Sequence, residues 1–284
     1  MVFTERGQGM TIARVFPRLT AMTPKDELAF CSGQPPFILP DIDEIHISVA
    51  FTWDIAKAEQ MAESWRVVGV PVKMGGPAFN QPGGEFVVGR YVKEGCVITS
   101  RGCPNHCWFC AVPKREKGLR ELPVQDGWNL LDDNILACSE DHINAVFDML
   151  GRQKQRPVFS GGLEAKLLKP WHAERLYQLK PQRMYFAYDT PDDYEPLVRA
   201  GKMMQGAGFS NSRSALNCYC LVGYRSDSFS KAEKRLRQAW NAGFMPFAML
   251  YKNDQGDTDK EWRRFQRVWA RPAITRSRMK GAAK

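Results

Sequence analysis

Apolar and polar positions follow two different periods along the chain. From about residue 96 onward, short apolar runs typical of buried strands are separated by stretches with helical spacing. The predicted strands are Cys96–Arg101, Trp128–Leu131, Pro157–Ser160, Met184–Tyr188, Leu216–Tyr224 and Pro246–Tyr251. Six strands that alternate with helices predict a parallel α/β sheet or barrel, in which chemistry gathers at the carboxyl ends of the strands.

Helical faces are marked by apolar residues spaced three and four positions apart. They are formed by Ile143, Val146, Phe147 and Leu150, by Ala232, Leu236, Ala239 and Trp240, and by Trp262, Phe265 and Trp269. The last face predicts a C-terminal helix that directs Arg263, Arg264 and Arg267 to solvent.

A separate pattern occupies residues 40–80. A strand over Ile45–Phe51 is followed by a helical stripe and a second strand over Val70–Met74, which predicts a βαβ-like unit. The stripe consists of Ala58, Met61, Ala62 and Trp65. The Gly/Pro-rich stretch Gly75–Gly89 is typical of a linker. We therefore predict an N-terminal α/β unit with its linker (1–88), a main α/β domain (89–255), and a C-terminal basic helix and tail (256–284).

Composition excludes several classes of protein. With 284 residues, 44% of them hydrophobic and 25% charged, the chain is neither disordered nor collagenous. No apolar run is long enough to span a membrane, and no signal-peptide core is visible, so we expect a cytoplasmic protein without a membrane partner. Residues 260–284 contribute +8 of the net charge of +9. This tail either neutralises the phosphates of a nucleic acid or forms a solvated helix face and a frayed end.

Three of the eight cysteines lie close together, directly after the first predicted strand. Cys103, Cys107 and Cys110 are spaced Cys-x3-Cys-x2-Cys. Thiolates bind iron–sulfur clusters, and four ligands saturate a 4Fe–4S cube. Three grouped cysteines therefore leave one iron open to a ligand that the protein does not supply.

A structural zinc site is the alternative interpretation of this loop. Zinc requires a fourth ligand, commonly from a second cysteine or histidine pair at a characteristic spacing. The next paired cysteines, Cys218 and Cys220, stand in a distant apolar strand, and within the loop only His106 is a candidate.

The segment Thr99–Cys110, with Phe109 before the last cysteine, resembles the signature of the radical SAM superfamily. Its Thr-Ser-Arg-Gly-Cys-Pro sequence is most similar to that of the branches that include cobalamin-binding radical SAM proteins and methylthiotransferases. The resemblance implies a six-unit partial (β/α) barrel and one 4Fe–4S cluster on the three cysteines. It also implies S-adenosylmethionine, which is reductively cleaved to a 5′-deoxyadenosyl radical, and a flavodoxin- or ferredoxin-like electron donor.

Cobalamin is not expected in this chain. The N-terminal unit is shorter than a complete cobalamin domain and lacks the Asp-x-His-x-x-Gly pattern of such domains. We interpret His46 as a strand residue.

Two segments compete to hold the methionine amino group, which the family binds with a Gly-Gly-Glu-like sequence after the second strand. Asp132 and Asp133 have the right position, whereas Ser160–Glu164 has nearly the right lettering but ends the third strand. We favour Asp132 and Asp133, with Gly161 and Gly162 allowing close approach of the backbone to the cofactor. The alternatives are a helix cap for residues 132–134 and a first-turn role for Glu164.

The resemblance implies further contacts at the later strand ends. Asp189 is a candidate for the ribose hydroxyls, although Thr190–Asp193 also has the pattern of a helix cap. The backbone of Phe109 and the glycine-bearing segment Leu221–Arg225 are candidates for contact with adenine.

Cys218 and Cys220 lie on one face of the fifth strand. They are either candidate catalytic thiols facing the barrel interior or buried structural cysteines.

We therefore expect a radical SAM enzyme that abstracts hydrogen from a nucleotide or nucleic acid, or from a small metabolite. The rival from another class is a zinc-stapled, non-catalytic nucleic-acid-binding protein that uses the basic tail.

Overall fold

A computed structural model describes residues 10–209, 215–224 and 226–281. The chain divides into two compact units. The first contains the residues up to Glu94 together with 114–117, and the second contains 95–113 together with the residues from 118 onward. The division therefore falls at 94/95 rather than at 88/89, and the C-terminal helical region groups with the second unit.

The first unit is built on a parallel sheet with the strand order β2-β1-β3-β4. Its strands are β1 (Ile12–Val15), β2 (Ala29–Phe30), β3 (Glu44–Ser48) and β4 (Val72–Gly75), and its helix is α1 (Ile55–Trp65). The predicted βαβ unit corresponds to β3, α1 and β4, and β3 pairs in parallel with β4. Ile45 and Ile47 pack with Met61 and Trp65 in the core.

The second unit contains a six-stranded parallel sheet, which confirms the predicted parallel α/β architecture. Its strands in chain order are β5 (Cys96–Val97), β6 (Ser100–Arg101), β7 (Arg120–Glu121), β8 (Asn129–Leu130), β9 (Val158–Leu163), β10 (Arg183–Ala187), β11 (Leu216–Val222) and β12 (Met245–Leu250). The sheet order is β12-β11-β10-β9-β8-β5, while β6 and β7 form a separate antiparallel pair. The predicted strand Cys96–Arg101 is thus divided between two sheets.

Helices follow most of these strands. They are α2 (Val112–Arg115), α3 (Glu140–Arg152), α4 (Pro170–Leu179), α5 (Tyr194–Gly206), α6 (Phe229–Asn241), α7 (Lys260–Trp269) and α8 (Pro272–Gly281). Because neighbouring strands are consecutive units and crossovers are right-handed, the crossover helices α3 to α6 lie on one face of the sheet.

Side-chain contacts distinguish the two faces of the six-stranded sheet. On the helix-covered face, Phe159 of β9 meets Phe147 of α3 edge-on at 6.1 Å between ring centroids. The opposite face carries half-buried aromatic rings, and Tyr185 stacks on Tyr219 at 4.3 Å. The ring of Phe247 lies edge-on to Tyr219 at 5.8 Å. The second face is therefore lined by aromatic side chains of the three last strands.

The predicted C-terminal helix corresponds to α7. Trp269 is buried, and Arg263, Arg264 and Arg267 are exposed, as the apolar stripe predicts. The expectation of a frayed end is wrong for α8, which buries Thr275 and Met279. The side chain of Lys280 and residues 282–284 lie outside the described part of the chain.

No helix within the described residues has both the length and the apolar character required to cross a membrane.

A buried histidine in α4 generates a prediction about stability and pH. His172 is buried, and its Nδ1 accepts a hydrogen bond of 3.1 Å from the Lys169 N–H. Burial lowers the pKa of His172 to about 4, below its ordinary value of 6.5. His172 of the unfolded chain binds its proton at a higher pH than His172 of the folded chain. The contribution of His172 to the free energy of unfolding is therefore fully present above pH 6.5 and decreases as the pH drops toward 4.

We expect the His172 contribution to this loss to be roughly 2 kcal/mol between pH 7 and pH 4.5. Urea unfolding at pH 7 and pH 4.5 measures it, and His172→Gln should show a smaller decrease than the wild type. The exposed His106→Gln variant is the control and should keep the wild-type decrease. Equal decreases in all three proteins would contradict the prediction.

Candidate functional site

The cysteine loop leaves β6 through a glycine that no other residue can replace without strain. Gly102 has a φ of +86°, and a Cβ at this position would overlap the carbonyl oxygen of Gly118. Cys103 and Cys110 are half-buried, whereas Cys107 is exposed. The loop therefore holds its three thiols at different depths at the carboxyl end of the first strands.

The loop backbone points toward two of the thiols. The Asn105 N–H lies 3.5 Å from Cys103 Sγ, and the Val112 N–H lies 3.4 Å from Cys110 Sγ. Burial raises the pKa of Cys107, and the neighbouring Cys110 and Cys103 raise it further. Ionisation of Cys107 is therefore opposed by the other two cysteines, an effect that a bound metal centre would reverse. Among the described residues, no three His, Cys, Asp or Glu side chains are already arranged around a single metal ion.

Asp132, after β8, has a role that differs from its predicted one. One carboxylate oxygen accepts a hydrogen bond from the Thr99 N–H at 2.6 Å, and the other accepts from the hydroxyls of Thr99 and Ser100 at 2.6 and 2.7 Å. Burial raises the pKa of this carboxyl, and the hydrogen bonds from Thr99 and Ser100 oppose the increase. Both oxygens of Asp132 are thus engaged in joining β8 to the segment between β5 and β6, and a role toward an ammonium group stays a prediction.

Asp133 contacts the beginning of the cysteine loop. Its Oδ2 accepts a hydrogen bond of 2.8 Å from the Gly102 N–H. The carboxylate thus anchors the residue directly before Cys103, and any role toward a cofactor stays a prediction.

Glu164, which follows β9, contacts the cysteine loop. Its Oε2 accepts hydrogen bonds from the side-chain amides of Asn134 at 2.7 Å and Asn105 at 2.8 Å. Asn134 Nδ2 also lies 3.4 Å from Cys103 Sγ. The Oδ1 of Asn134 is buried and accepts no hydrogen bond from the described residues. Glu164 is therefore hydrogen-bonded to Asn105 of the cysteine loop. The Gly-Gly-Leu-Glu sequence is the feature that drew attention to this residue.

The two glycines of β9 differ in their surroundings. A Cβ on Gly161 would overlap the carbonyl oxygen of Asp132, whereas a Cβ on Gly162 would find its nearest neighbour, Asp133 O, at 3.9 Å. The close approach that Gly161 permits in this structure is therefore to the end of β8, and its role beside a cofactor stays a prediction. Space beside Gly162 is open.

The end of β10 combines a strand contact with a helix cap. Asp189 accepts a hydrogen bond of 2.9 Å from the Leu221 N–H, and burial raises the pKa of Asp189 to about 6. Asp193 accepts from the N–H and hydroxyl of Thr190, both at 2.9 Å, and pairs with Lys166 at 2.9 Å. The cap interpretation of residues 190–193 is confirmed.

The charges of Asp189 and Asp193 also raise the pKa of Cys107. The end of β10 therefore lies near the cysteine loop.

The paired cysteines of β11 are on the helix-covered face. Cys218 pairs in register with Phe186, Cys220 pairs with Ala248, and all four are fully buried. Burial raises the pKa of the Cys218 thiol well above its ordinary value. Of the two interpretations offered by the sequence, the burial of Cys218 and Cys220 supports that of buried structural cysteines, and Tyr219 is the residue that β11 presents to the opposite face.

An aromatic cluster surrounds Trp108, which lies between the second and third cysteines of the loop. Trp108 is 61% exposed, yet its ring lies 5.3 Å from Phe109, 5.5 Å from Tyr224 and 6.0 Å from Tyr251, measured between centroids. Tyr224 follows β11 and Tyr251 follows β12. The loop after the first strands therefore meets residues that follow the last two. Arg225, at the end of the predicted adenine segment, lies outside the described residues.

The two glycines allow a matched test of the packing beneath the site. Gly161→Ala should lower the free energy of unfolding by about 1–3 kcal/mol, because two backbones must separate to admit the methyl group. Gly162→Ala has room for its methyl group and should change it by less than about 0.5 kcal/mol. Denaturant unfolding of the metal-free protein measures both. Equal effects would contradict the close approach of β9 to Asp132.

Comparison with known proteins identifies no family for this chain. No family model matches the sequence, and no curated protein matches it significantly.

Proposed function

We propose that the protein is a radical SAM enzyme in which Cys103, Cys107 and Cys110 bind one 4Fe–4S cluster. The observation that carries the proposal is that three free cysteines share the loop after β6, and that Cys103 in this loop lies 3.4 Å from Asn134, which follows the parallel strand β8. Chemistry in α/β proteins gathers at the carboxyl ends of such strands. The Cys-x3-Cys-x2-Cys spacing and its resemblance to the superfamily signature support the same assignment.

The residues fit the group that they would hold. Thiolates are the ligands of iron–sulfur clusters, and the two backbone N–H groups directed at sulfur are the contacts that stabilise bound thiolates. When bound, the cluster supplies an electron and an open iron position, so that S-adenosylmethionine is cleaved to a 5′-deoxyadenosyl radical that abstracts hydrogen from the substrate. The chain's own residues hold the reactants in position.

A six-unit partial (β/α) barrel is the architecture that we propose for this chemistry. Five strand spacings separate β5 from β12, which is about 24 Å across a flat sheet. Trp108, in the loop that follows β5 and β6, nevertheless contacts Tyr251 after β12. Curvature of the sheet toward its aromatic face explains this contact.

Glu164 and Asn134 are the residues that we propose for the methionine ammonium group. Glu164 provides a carboxylate, and the buried Asn134 Oδ1 is an acceptor that lacks a donor among the described residues. An ammonium group supplies three donors and would satisfy both. Asp189 has one oxygen engaged by Leu221, so the other is available to a ribose hydroxyl. The Phe109 backbone remains our candidate for adenine.

The substrate and partners are proposed more broadly. Hydrogen abstraction from a nucleic acid or from a small metabolite is compatible with the site, and a flavodoxin- or ferredoxin-like protein would supply the electron. A zinc-stapled nucleic-acid-binding protein is the second candidate function, and the exposed arginines of α7 favour it.

Anaerobic reconstitution followed by dithionite reduction tests the proposal. We expect S-adenosylmethionine to change the electron paramagnetic resonance spectrum of the cluster and to yield 5′-deoxyadenosine. Cys107→Ala should lose both signals, because one of three ligands is missing. Cys31→Ala, which removes an exposed thiol of the first unit, is the control and should keep both. One equivalent of zinc, or a cluster indifferent to S-adenosylmethionine, would overturn the proposal.

A second prediction distinguishes the proposed role of Glu164 from the roles of the other carboxylates at the carboxyl ends of the strands. Glu164→Gln should raise the KM for S-adenosylmethionine about tenfold, because the ammonium loses its charged partner. The exposed Asp192→Asn variant removes a neighbouring charge and should leave KM unchanged. Uncoupled formation of 5′-deoxyadenosine at varied S-adenosylmethionine concentration measures both. A normal KM in Glu164→Gln would return the ammonium site to Asp133.

A further inference from the structure

A buried ion pair lies behind the carboxyl end of β11. Arg235 of α6 pairs with Asp227 at 2.7 Å, and the two side chains are only 8% and 0% exposed. The same Arg235 nitrogen donates to the Leu221 carbonyl at 2.8 Å. Asp227 Oδ2 also accepts from the Gly223 N–H at 3.0 Å. The pair therefore binds backbone groups on both sides of the strand end.

The peptide groups at Leu221 are held from two directions. Its N–H donates to Asp189, and its carbonyl accepts from Arg235. These contacts connect the end of β10, the end of β11 and α6. Leu221 consequently has little freedom to shift along the strand.

The network continues to the cysteine loop through one aromatic ring. The Arg235 guanidinium lies 5.4 Å from the centroid of the Tyr224 ring and 3.5 Å from its hydroxyl. Tyr224 in turn meets Trp108 edge-on at 5.5 Å. A continuous chain of contacts thus runs from α6 to the residue between the second and third cysteines.

Stability alone gives little reason for such a pair. Replacing a buried ion pair by apolar residues of similar size is often neutral or stabilising, because desolvation offsets the attraction. Arg235 also keeps its Nε buried without a hydrogen-bond partner among the described residues. The specific gain from the pair is geometric, since its contacts fix the strand end and the Tyr224 ring.

We propose that Arg235 and Asp227 are positioning residues that hold Tyr224 against Trp108 and thereby set the conformation of the cysteine loop. The consequence for affinity toward S-adenosylmethionine rests on the proposed function. The consequence for the mobility of the loop does not, because it concerns the metal-free protein.

Three variants test this role. Tyr224→Ala removes the connecting ring, and the double variant Arg235→Leu/Asp227→Leu removes both buried charges without leaving one unpaired. Arg237→Gln is the matched control, because Arg237 lies on the same helix and forms its ion pair with the partly exposed Glu233. Thermal unfolding establishes that each variant is folded.

Hydrogen exchange of the metal-free proteins is the first measurement. We expect faster exchange over residues 103–110 in Tyr224→Ala and in the double variant, and wild-type exchange in Arg237→Gln. Wild-type exchange in Tyr224→Ala would overturn the proposal, whether or not the double variant folds.

Kinetics of the reconstituted proteins are the second measurement. The same two variants should raise the KM for S-adenosylmethionine about tenfold at unchanged iron content and nearly unchanged kcat. If the wild type forms no 5′-deoxyadenosine, the proposed function fails, while hydrogen exchange still decides the positioning role. If the wild type is active and the variants keep its KM, the link from positioning to affinity is wrong.

Discussion

The hydrogen bonding of the buried Asp132 carboxylate to Thr99 and Ser100 is the interaction on which the candidate site depends. A buried carboxylate is costly unless its oxygens are hydrogen-bonded, and Asp132 satisfies this requirement with donors from Thr99 and Ser100. The contact sets the position of the next two residues. Asp133 then reaches the Gly102 N–H, and Asn134 reaches Cys103 and Glu164. Three consecutive residues thus join one strand end to the base of the cysteine loop.

Carboxylates elsewhere at this edge follow the same principle. Asp189 accepts the Leu221 N–H of the neighbouring strand, Asp193 caps the following helix, and Asp227 holds the Gly223 N–H. Backbone N–H groups that leave a sheet lose their ladder partners, and a short acidic side chain replaces them. An acidic residue at a strand end can therefore have a structural role or a ligand-binding role, and the sequence alone does not distinguish the two.

The local parts of the fold were predictable from the sequence because they depend on periodicity. The six strands and the helices α3, α6 and α7 follow from apolar spacing. Strand β1 was missed because the charged Arg14 interrupts a run of four residues, and α8 was missed because its sequence has no clear apolar stripe. Alternation placed Cys218 and Cys220 on one face, but only the register with β10 and β12 shows that helices cover that face.

The candidate site was predictable only in part, because the contacts of its residues depend on neighbouring residues from other strands. The cysteines are recognisable because their spacing is local. The choice between Asp132 and Glu164 depends on which donors lie opposite each carboxylate, and those donors are up to 59 positions away in the chain. Strand order alone favoured Asp132 for the ammonium group, whereas our proposal of Glu164 depends on hydrogen bonds that strand order does not reveal.

The consecutive strand order also has a consequence for the order of folding. Each strand of the main sheet pairs with a strand that is its neighbour in that sheet's chain order, so pairing can follow synthesis without waiting for distant segments. The contacts of Trp108 are the exception, because Tyr224 and Tyr251 are made more than a hundred residues later. During synthesis the three cysteines are thus made well before the residues that pack against Trp108. In the nascent chain the cysteine loop therefore lacks its contacts with Tyr224 and Tyr251 until the last strands are in place.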